Sequence, residues 1–356
     1  MTEKIPAAMK AVVTRGHGGF EMLDYTDVPV PAPAPGEVLL RVLACGLNNT
    51  DVWNREARYG TDRDPEARTG VGRTEGRWPR TQGCDVVGRI VAVGAGVDPA
   101  RVGERILCNF MMYGDPAVNL GFAGSLGTSR DGGYAEYTTV PATNAYKVDD
   151  IPLSDAELAT FPCAYITGEH MLDAAGVKAG EMVVVTGSSG GAGSAIVQLA
   201  HARGAETLAI TSARWRGDVA KLGSRHVVLR DQGDLYEQAA AALKGRVVDV
   251  AADVVGGAAF RDLLALLRAG GRYVTAGAIG GPVVPFDLRT MYLKKLTLYG
   301  VSVGYPKHFE AMLSHIRAGK LKPLLAKTYP LAKFREAQEL FVSKGFFGNI
   351  VVIPGA

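Results

Sequence analysis

The sequence predicts an α/β protein in which a β-rich domain accompanies a doubly wound domain built on a parallel sheet. Three observations carry this. The chain has 356 residues, and single cores stop growing at about 250–300 residues, so two domains are expected. The first part of the chain alternates short apolar runs with Gly and Pro turns. From about Ser154 onward, strand-like runs alternate with helical ones, the rhythm of βαβ units.

The early strands are read at Met9 to Thr14, Glu37 to Leu43 after the Pro35-Gly36 turn, Val86 to Val93, and Tyr134 to Val140. Each is an alternating or β-branched run bounded by turn residues. Between Arg55 and Gln82 the segment REARYGTDRDPEARTGVGRTEGRWPRTQ has too few periodic apolar residues for a buried element. It is expected to be a long surface loop, a class that usually serves function. In the second half MVVV, TLAIT, HVVL, VVDVAADVV, RYVTAGAI and LTLYGVSV read as strands, and AIVQLAHARG and AAFRDLLALLRAGG as helices. After Tyr305 come two helical stretches, HFEAMLSHIRAG and FREAQELFVSKG, and a last strand, NIVVIP. This tail fits the β-rich domain better than another βα unit.

Composition narrows the partners. Hydrophobic residues make up 47% and charged residues 21% of the chain, which suits a globular protein. A net charge of +3, with Lys and Arg scattered, calls for neither nucleic acid nor membrane as partner. MTEKIPAAMKAVV lacks the pattern of a secretory signal, and no apolar run reaches the roughly 18 residues of a membrane span, so a cytoplasmic location is expected. Cys45, Cys84, Cys108 and Cys163 contain no CxxC pair and read as free thiols. The six histidines show no metal-ligand spacing.

The richest stretch is MVVVTGSSGGAGSAIVQLAHARG, a strand entering a glycine turn and then an amphipathic helix. Glycines at 190, 191 and 193 allow a sharp turn, close approach of a pyrophosphate, and packing of helix on strand. The helix N-terminus supplies unpaired N–H groups and the positive end of a dipole. Ser188, Ser189, Gly190, Gly191, Ala192 and Gly193 are therefore the expected phosphate contacts. At the end of the next strand an acid would accept from a free ribose 2′-hydroxyl. AITSARWRG has no acid there. Ser212, Arg214 and Arg216, with Arg230 at the end of the following strand, offer donors and positive charge suited to a 2′-phosphate. NADPH is the expected cofactor.

APGEVLLRVLACGLNNTD, GCDVVGRIVAVGAGV, VGERI, GGYAEYTTVP, CAYITG, the glycine turn and GFFGNIVV fall in order along the chain. Together they resemble the medium-chain dehydrogenase/reductase family over essentially its whole length. The resemblance implies a GroES-like β domain of residues 1–153 and 304–356, a Rossmann domain of residues 154–303, and an active site in the cleft between them. It also implies cofactor contacts from Gly277, Ala278, Ile279 and Ser302 near the nicotinamide and from Asn349. LTLYGVSV is the expected edge strand, where two subunits of a homodimer pair.

Zinc members of the family hold their catalytic metal with a Cys, a His and a second Cys. The corresponding positions here resemble Asn48, Cys84 followed by Asp85, and Cys163. The structural zinc lobe needs four close cysteines, and only Cys108 lies in that region. Asn48 is similar to the residue of the zinc-free, quinone-reductase-like branch, as is the GSSGGAG turn. That branch implies hydride transfer from NADPH to a small carbonyl-activated substrate such as an enone, enal or quinone, with no metal. Asn48 and Thr167 are then candidate donors to the developing oxyanion, and Tyr59 a donor or proton source. Asp51 resembles a position with a structural role. Two alternatives stay open. One is a zinc alcohol dehydrogenase or aldehyde reductase whose altered ligand set is Cys84, Asp85 and Cys163. The other is an NADPH-binding sensor without turnover, with the Arg55–Arg80 stretch as its partner-binding element. In an enzyme, the arginines of the same stretch, Arg58 and Arg63 among them, would instead select an anionic substrate.

Overall fold

A computed structural model describes residues 4–59 and 78–355. Most of the expected loop between Arg55 and Gln82, Arg63 included, lies outside these residues. Its described flanks are the helix Asn49–Arg55 and the short strand Arg80–Thr81.

The chain divides into one unit of Met1–Cys163 with Pro323–Ala356 and a second of Ala164–Lys322. Both junctions fall later than the expected 153/154 and 303/304, for local reasons. In the first unit the helix Asp155–Leu158 is tied to the strand Arg105–Cys108, with Arg105 Nε 2.7 Å from Asp155 Oδ1. In the second, the helix Pro306–Arg317 is tied to the helix Pro162–Ala174 by Lys307 and His308, which reach Asp173 Oδ2 at 2.7 and 3.1 Å.

In the first unit, both ends of the chain enter one seven-stranded sheet. Its order is Ala145–Lys147, Arg105–Cys108, Asp85–Val93, Glu37–Gly46, Asn349–Ile353, Leu325–Pro330, and Tyr137–Pro141 also pairs with Glu37–Gly46. The last strand runs antiparallel to Glu37–Gly46, with Val351 opposite Gly46 and Val352 opposite Cys45. Leu40, Val86 and Val351 are completely buried here, each side chain contributing about 1.5–3 kcal/mol. A three-stranded sheet, Leu23–Pro29, Ala8–Thr14 and Arg80–Thr81, packs Met9 and Ala11 against Leu39, Ala135 and Tyr137.

The second unit is the expected doubly wound sheet. Six parallel strands are ordered His226–Leu229, Glu206–Thr211, Met182–Val185, Val248–Asp253, Leu267–Thr275, Thr297–Gly300. Numbered along this unit the order is 3-2-1-4-5-6, so the switch point lies between Met182–Val185 and Val248–Asp253. Every residue of Met182–Val185 is buried, as a strand covered on both faces must be.

Three elements depart from the sequence reading. The strand expected from Tyr134 starts at Tyr137, because Gly132 and Gly133 are wedged against Gln82, Gly83 and Val86, leaving no room for a Cβ. The stretch LRAGG, expected to end a helix, begins the strand Leu267–Thr275: Leu267 pairs with Val248, and Arg268 Nε reaches Asp249 Oδ1 at 2.7 Å. The last parallel strand is the short Thr297–Gly300, at the sheet edge. Among the described residues no helix is long and apolar enough to cross a membrane, and all four cysteines are free.

Candidate functional site

In the second unit, the strand Met182–Val185 passes through Thr186 and Gly187 into the helix Gly191–Ala202. Gly187 adopts φ +60°, a left-handed conformation natural to glycine. Helix and turn then meet backbone to backbone: a Cβ on Gly193 would lie 2.2 Å from Gly187 O and 2.6 Å from Thr186 O. Gly190 caps the helix in an extended conformation, leaving N–H groups at the helix start for an anion. Ser189, Gly191 and Ala192 are half-buried and Gly190 exposed. Ser188 is buried, and its hydroxyl donates to Val185 O at 2.9 Å, so its side chain holds the turn. Sequence reasoning passed over Gly187, although a glycine directly after an apolar strand was its signal.

The next strand ends at Thr211, whose buried Oγ1 has no hydrogen-bond partner among the described residues. Ser212 opens a single turn, Ala213–Trp215, in which Arg214 lies 4.3 Å from the centre of the Trp215 ring. Arg216 starts the helix Arg216–Ala220. Arg230 donates its backbone N–H to Thr211 O at 2.9 Å, so the expected 2′-phosphate residues gather at one end of two adjacent strands. Sequence reasoning missed Asp231. Its carboxylate accepts the Ala213 N–H at 3.0 and 3.2 Å and brings an acid to this end from the neighbouring strand rather than its own. At the far side of the switch point, Gly277 and Ala278 are half-buried and Ile279 exposed after the strand Leu267–Thr275. Gly277 and Ala278 border a cavity of about 270 Å³ that is also lined by Phe260, Tyr273 and Tyr299. Ser302 is exposed beyond the edge strand, and Thr167 is half-buried on the helix Pro162–Ala174. The glycine cradle and the orphaned Thr211 hydroxyl fit a phosphorylated dinucleotide.

The first unit gathers a polar cluster. The strand Glu37–Gly46 leads to Asn48, the N-cap of the helix Asn49–Arg55. The Asn48 amide Nδ2 donates to Asp85 Oδ2 at 2.9 Å and points to Cys84 Sγ at 3.5 Å. The other carboxylate oxygen of Asp85 accepts the Cys163 N–H at 2.8 Å. One ligand atom from each of Cys84, Asp85 and Cys163 lies within 4.8 Å of the others. Burial pushes Asp85 up to about 7, against the opposing pull of these hydrogen bonds. The Cys84 thiol is held well above its usual range by its hydrogen bond with the Cys163 thiol and by burial. Two thiols and a carboxylate are donors that zinc accepts, three being the number found in open catalytic sites.

Behind them, Asp51 accepts the Asn48 N–H at 2.8 Å and the Tyr134 hydroxyl at 2.5 Å, and burial raises it to about 6. Gln82, which donates to Asp51 O at 2.9 Å and accepts from Thr14 at 3.0 Å, fixes the helix from below. Tyr59 packs on Trp53, donates to Thr50 Oγ1 at 3.3 Å, and is pushed by burial up to about 12. Asn349 opens the last strand, buried, with no partner for Nδ2 among the described residues.

Comparison with known proteins agrees with both halves. The alcohol dehydrogenase GroES-like domain matches residues 34–150, and the zinc-binding dehydrogenase model matches residues 191–318. The chain is 30% identical to a quinone oxidoreductase of Lama guanicoe, with 97% of each chain covered. It is 29% identical to an acryloyl-coenzyme A reductase of Metallosphaera sedula, covering 97% of this chain and 99% of that one. A solved structure from Sinorhizobium meliloti, assigned provisionally to the alcohol dehydrogenases, is 52% identical, with TM-score 0.94 over 98% of each chain. The protein belongs to the medium-chain dehydrogenase/reductase superfamily, in its quinone oxidoreductase-like and alcohol dehydrogenase-like branch, and is an oxidoreductase of that family, whose members bind a nicotinamide cofactor.

Proposed function

We propose that the protein is an NADPH-dependent reductase that acts on a small carbonyl-activated substrate, an enone, enal or quinone, without catalytic zinc. The observation that carries this reading is the cofactor end of the parallel sheet, where the glycine turn and the residues Ser212, Arg214, Arg216 and Arg230 stand on neighbouring strand ends. The acryloyl thioester in a relative's name is itself an alkene conjugated to a carbonyl, which supports the substrate class.

Bound NADPH supplies a hydride to the electrophilic carbon, and a proton completes the reduction, so that enone, NADPH and H⁺ give the saturated ketone and NADP⁺. This chain's residues serve the oxygen and the proton. Asn48 is the donor to the developing oxyanion. Asn48 gives up its long contact with the weak acceptor Cys84 to do so. Tyr59, raised to about 12, stays a phenol at neutral pH and can return the proton. Gly277, Ala278, Ile279, Ser302 and Asn349 complete the proposed cofactor contacts. In the same reading the protein is a cytoplasmic homodimer. Its contact is the edge strand Thr297–Gly300 and the helix Leu288–Lys294, where Leu288, Tyr292 and Leu293 are exposed. An exposed apolar edge otherwise invites uncontrolled pairing. Leu293→Glu is expected to shift the sedimentation coefficient to that of a single chain.

The convergence of Cys84, Asp85 and Cys163 favours a second reading, an alcohol dehydrogenase or aldehyde reductase in which these three would hold zinc, which would supply Lewis-acid polarisation of a substrate oxygen. One experiment separates the two: protein of measured metal content is mixed with NADPH and a panel of quinones, enones, enals, enoyl thioesters and aldehydes. Loss of NADPH absorbance on conjugated substrates by zinc-free protein is expected. Activity that appears only with zinc, on alcohols or simple aldehydes, would replace the first reading by the second.

A further inference from the structure

We infer that Asp253 is a positioning residue that sets the nicotinamide-facing loops against the phosphate-binding turn. The inference rests on the NADPH reading above and assigns a task to a residue that reading does not use. Asp253 ends the strand Val248–Asp253, beside the switch point, and has no exposed surface. A carboxylate so placed is costly unless its oxygens are matched by donors. Its donors come from three separate segments. The Thr186 hydroxyl, just before the glycine turn, reaches Oδ1 at 2.6 Å, and the Tyr273 hydroxyl, on the next strand, reaches Oδ2 at 2.7 Å. The backbone N–H of Val255 reaches Oδ1 at 2.9 Å, and that of Gly256 lies 3.1 and 3.2 Å from the two oxygens. Thr186 Oγ1 also accepts the Val254 N–H at 3.0 Å, which fixes the direction of its own proton toward Asp253.

The turn held in this way is wedged between the two loops. On one side Gly187 faces it so closely that a Cβ would lie 3.1 Å from methyls of Val254 and Val255. On the other, Val255 O accepts the Gly280 N–H at 2.7 Å, and the Gly257 N–H donates to Gly281 O at 3.0 Å. A Cβ on Gly277 would sit 2.9 Å from Val254 O. The glycine turn takes the phosphates and the 277–281 loop the nicotinamide, so the Asp253 turn is the spacer between the two halves of the cofactor. An error of about 1 Å in such a spacing is enough to cost reactivity.

The test compares Asp253→Asn and Tyr273→Phe with the unaltered protein, by fluorescence titration with NADPH and with adenosine 2′,5′-bisphosphate, which carries only the adenosine half. Asp253→Asn places N–H groups against the donors Gly256 N–H and Tyr273 O–H, whereas Tyr273→Phe removes one donor and leaves the carboxylate in place. The expected result is bisphosphate binding within about twofold of the unaltered protein in both variants. NADPH binding should weaken about tenfold in Asp253→Asn and about threefold in Tyr273→Phe, with a smaller emission shift of the bound nicotinamide. Unchanged NADPH binding, or equal weakening of both ligands, would overturn the inference. If Asp253→Asn does not fold, Tyr273→Phe decides by the same two titrations. An unaltered protein that binds neither nucleotide would overturn the cofactor reading, and the spacer role with it.

Discussion

The glycine turn of the second unit and the Cys84–Asp85–Cys163 cluster of the first are built from different materials. The turn is contiguous in sequence, made of backbone, and depends on the absence of side chains at Gly187 and Gly193. The cluster draws Asn48, Asp51, Gln82, Cys84, Asp85, Tyr134 and Cys163 from distant positions and works through side-chain hydrogen bonds and two carboxylates lifted toward neutrality. A site made of backbone is intolerant of a single added methyl and indifferent to pH. A site made of buried polar side chains can trade one donor for another, but it responds to protons and metals.

The largest effect should come from adding a side chain to the turn. Gly193→Val would drive a Cβ against two backbone carbonyls and is expected to cost about 3 kcal/mol or more in denaturant unfolding, with loss of NADPH binding. A variant stable and binding as before would show that the turn can open. Next is the proton response of the cluster. Asp51 titrates near 6 in the folded protein against 3.8 for the free side chain, so its folded pKa is raised. Its contribution is full below about pH 4 and is lost as pH rises through about 6, a fall of about 3 kcal/mol; Asp85 acts with the same sign through about 7. Asp51→Asn should flatten that decline, as read from unfolding midpoints between about pH 4 and pH 7. An unchanged slope would place the response elsewhere. Smaller is the effect of the paired change Arg214→Ala and Arg230→Ala, expected to weaken NADPH about tenfold and leave NADH unaffected in fluorescence titrations. Equal losses for both cofactors would remove the 2′-phosphate role. Smallest in its effect on turnover is Cys163→Ser. It should change metal-free turnover by less than about twofold while lowering zinc uptake more than about tenfold in equilibrium dialysis; a large loss of metal-free turnover would give the thiol a part in the reaction.

The same contrast explains what was legible in the sequence. Parallel strands buried on both faces read as apolar runs, so MVVV and TLAIT stand out and the strand order follows from the fold class. Leu23–Pro29 and Leu325–Pro330 are largely exposed, with polar sequences LDYTDVP and LAKTYP, and carry no such signal. The glycine turn was readable because its residues are contiguous in sequence. Asp231 and Asp253 were not, since each acts on a neighbouring strand's loop that only sheet pairing brings close. In the cluster, residue types and family positions picked out Asn48, Cys84, Asp85 and Cys163. Only the fold shows that the Asn48 amide is engaged by Asp85 and Cys84, and that Tyr134 and Gln82 brace Asp51.

The proposed reaction is direct hydride transfer from NADPH to a conjugated carbonyl compound without zinc. NADPH carrying deuterium at the nicotinamide C4 position, incubated with an enone and protein shown by elemental analysis to lack zinc, tests it most directly through NMR of the product. The expected product is a saturated ketone with deuterium on the carbon β to the carbonyl. Deuterium on the carbinol carbon of an alcohol, formed only after zinc is restored, would contradict it and make Cys84, Asp85 and Cys163 the working centre of the enzyme.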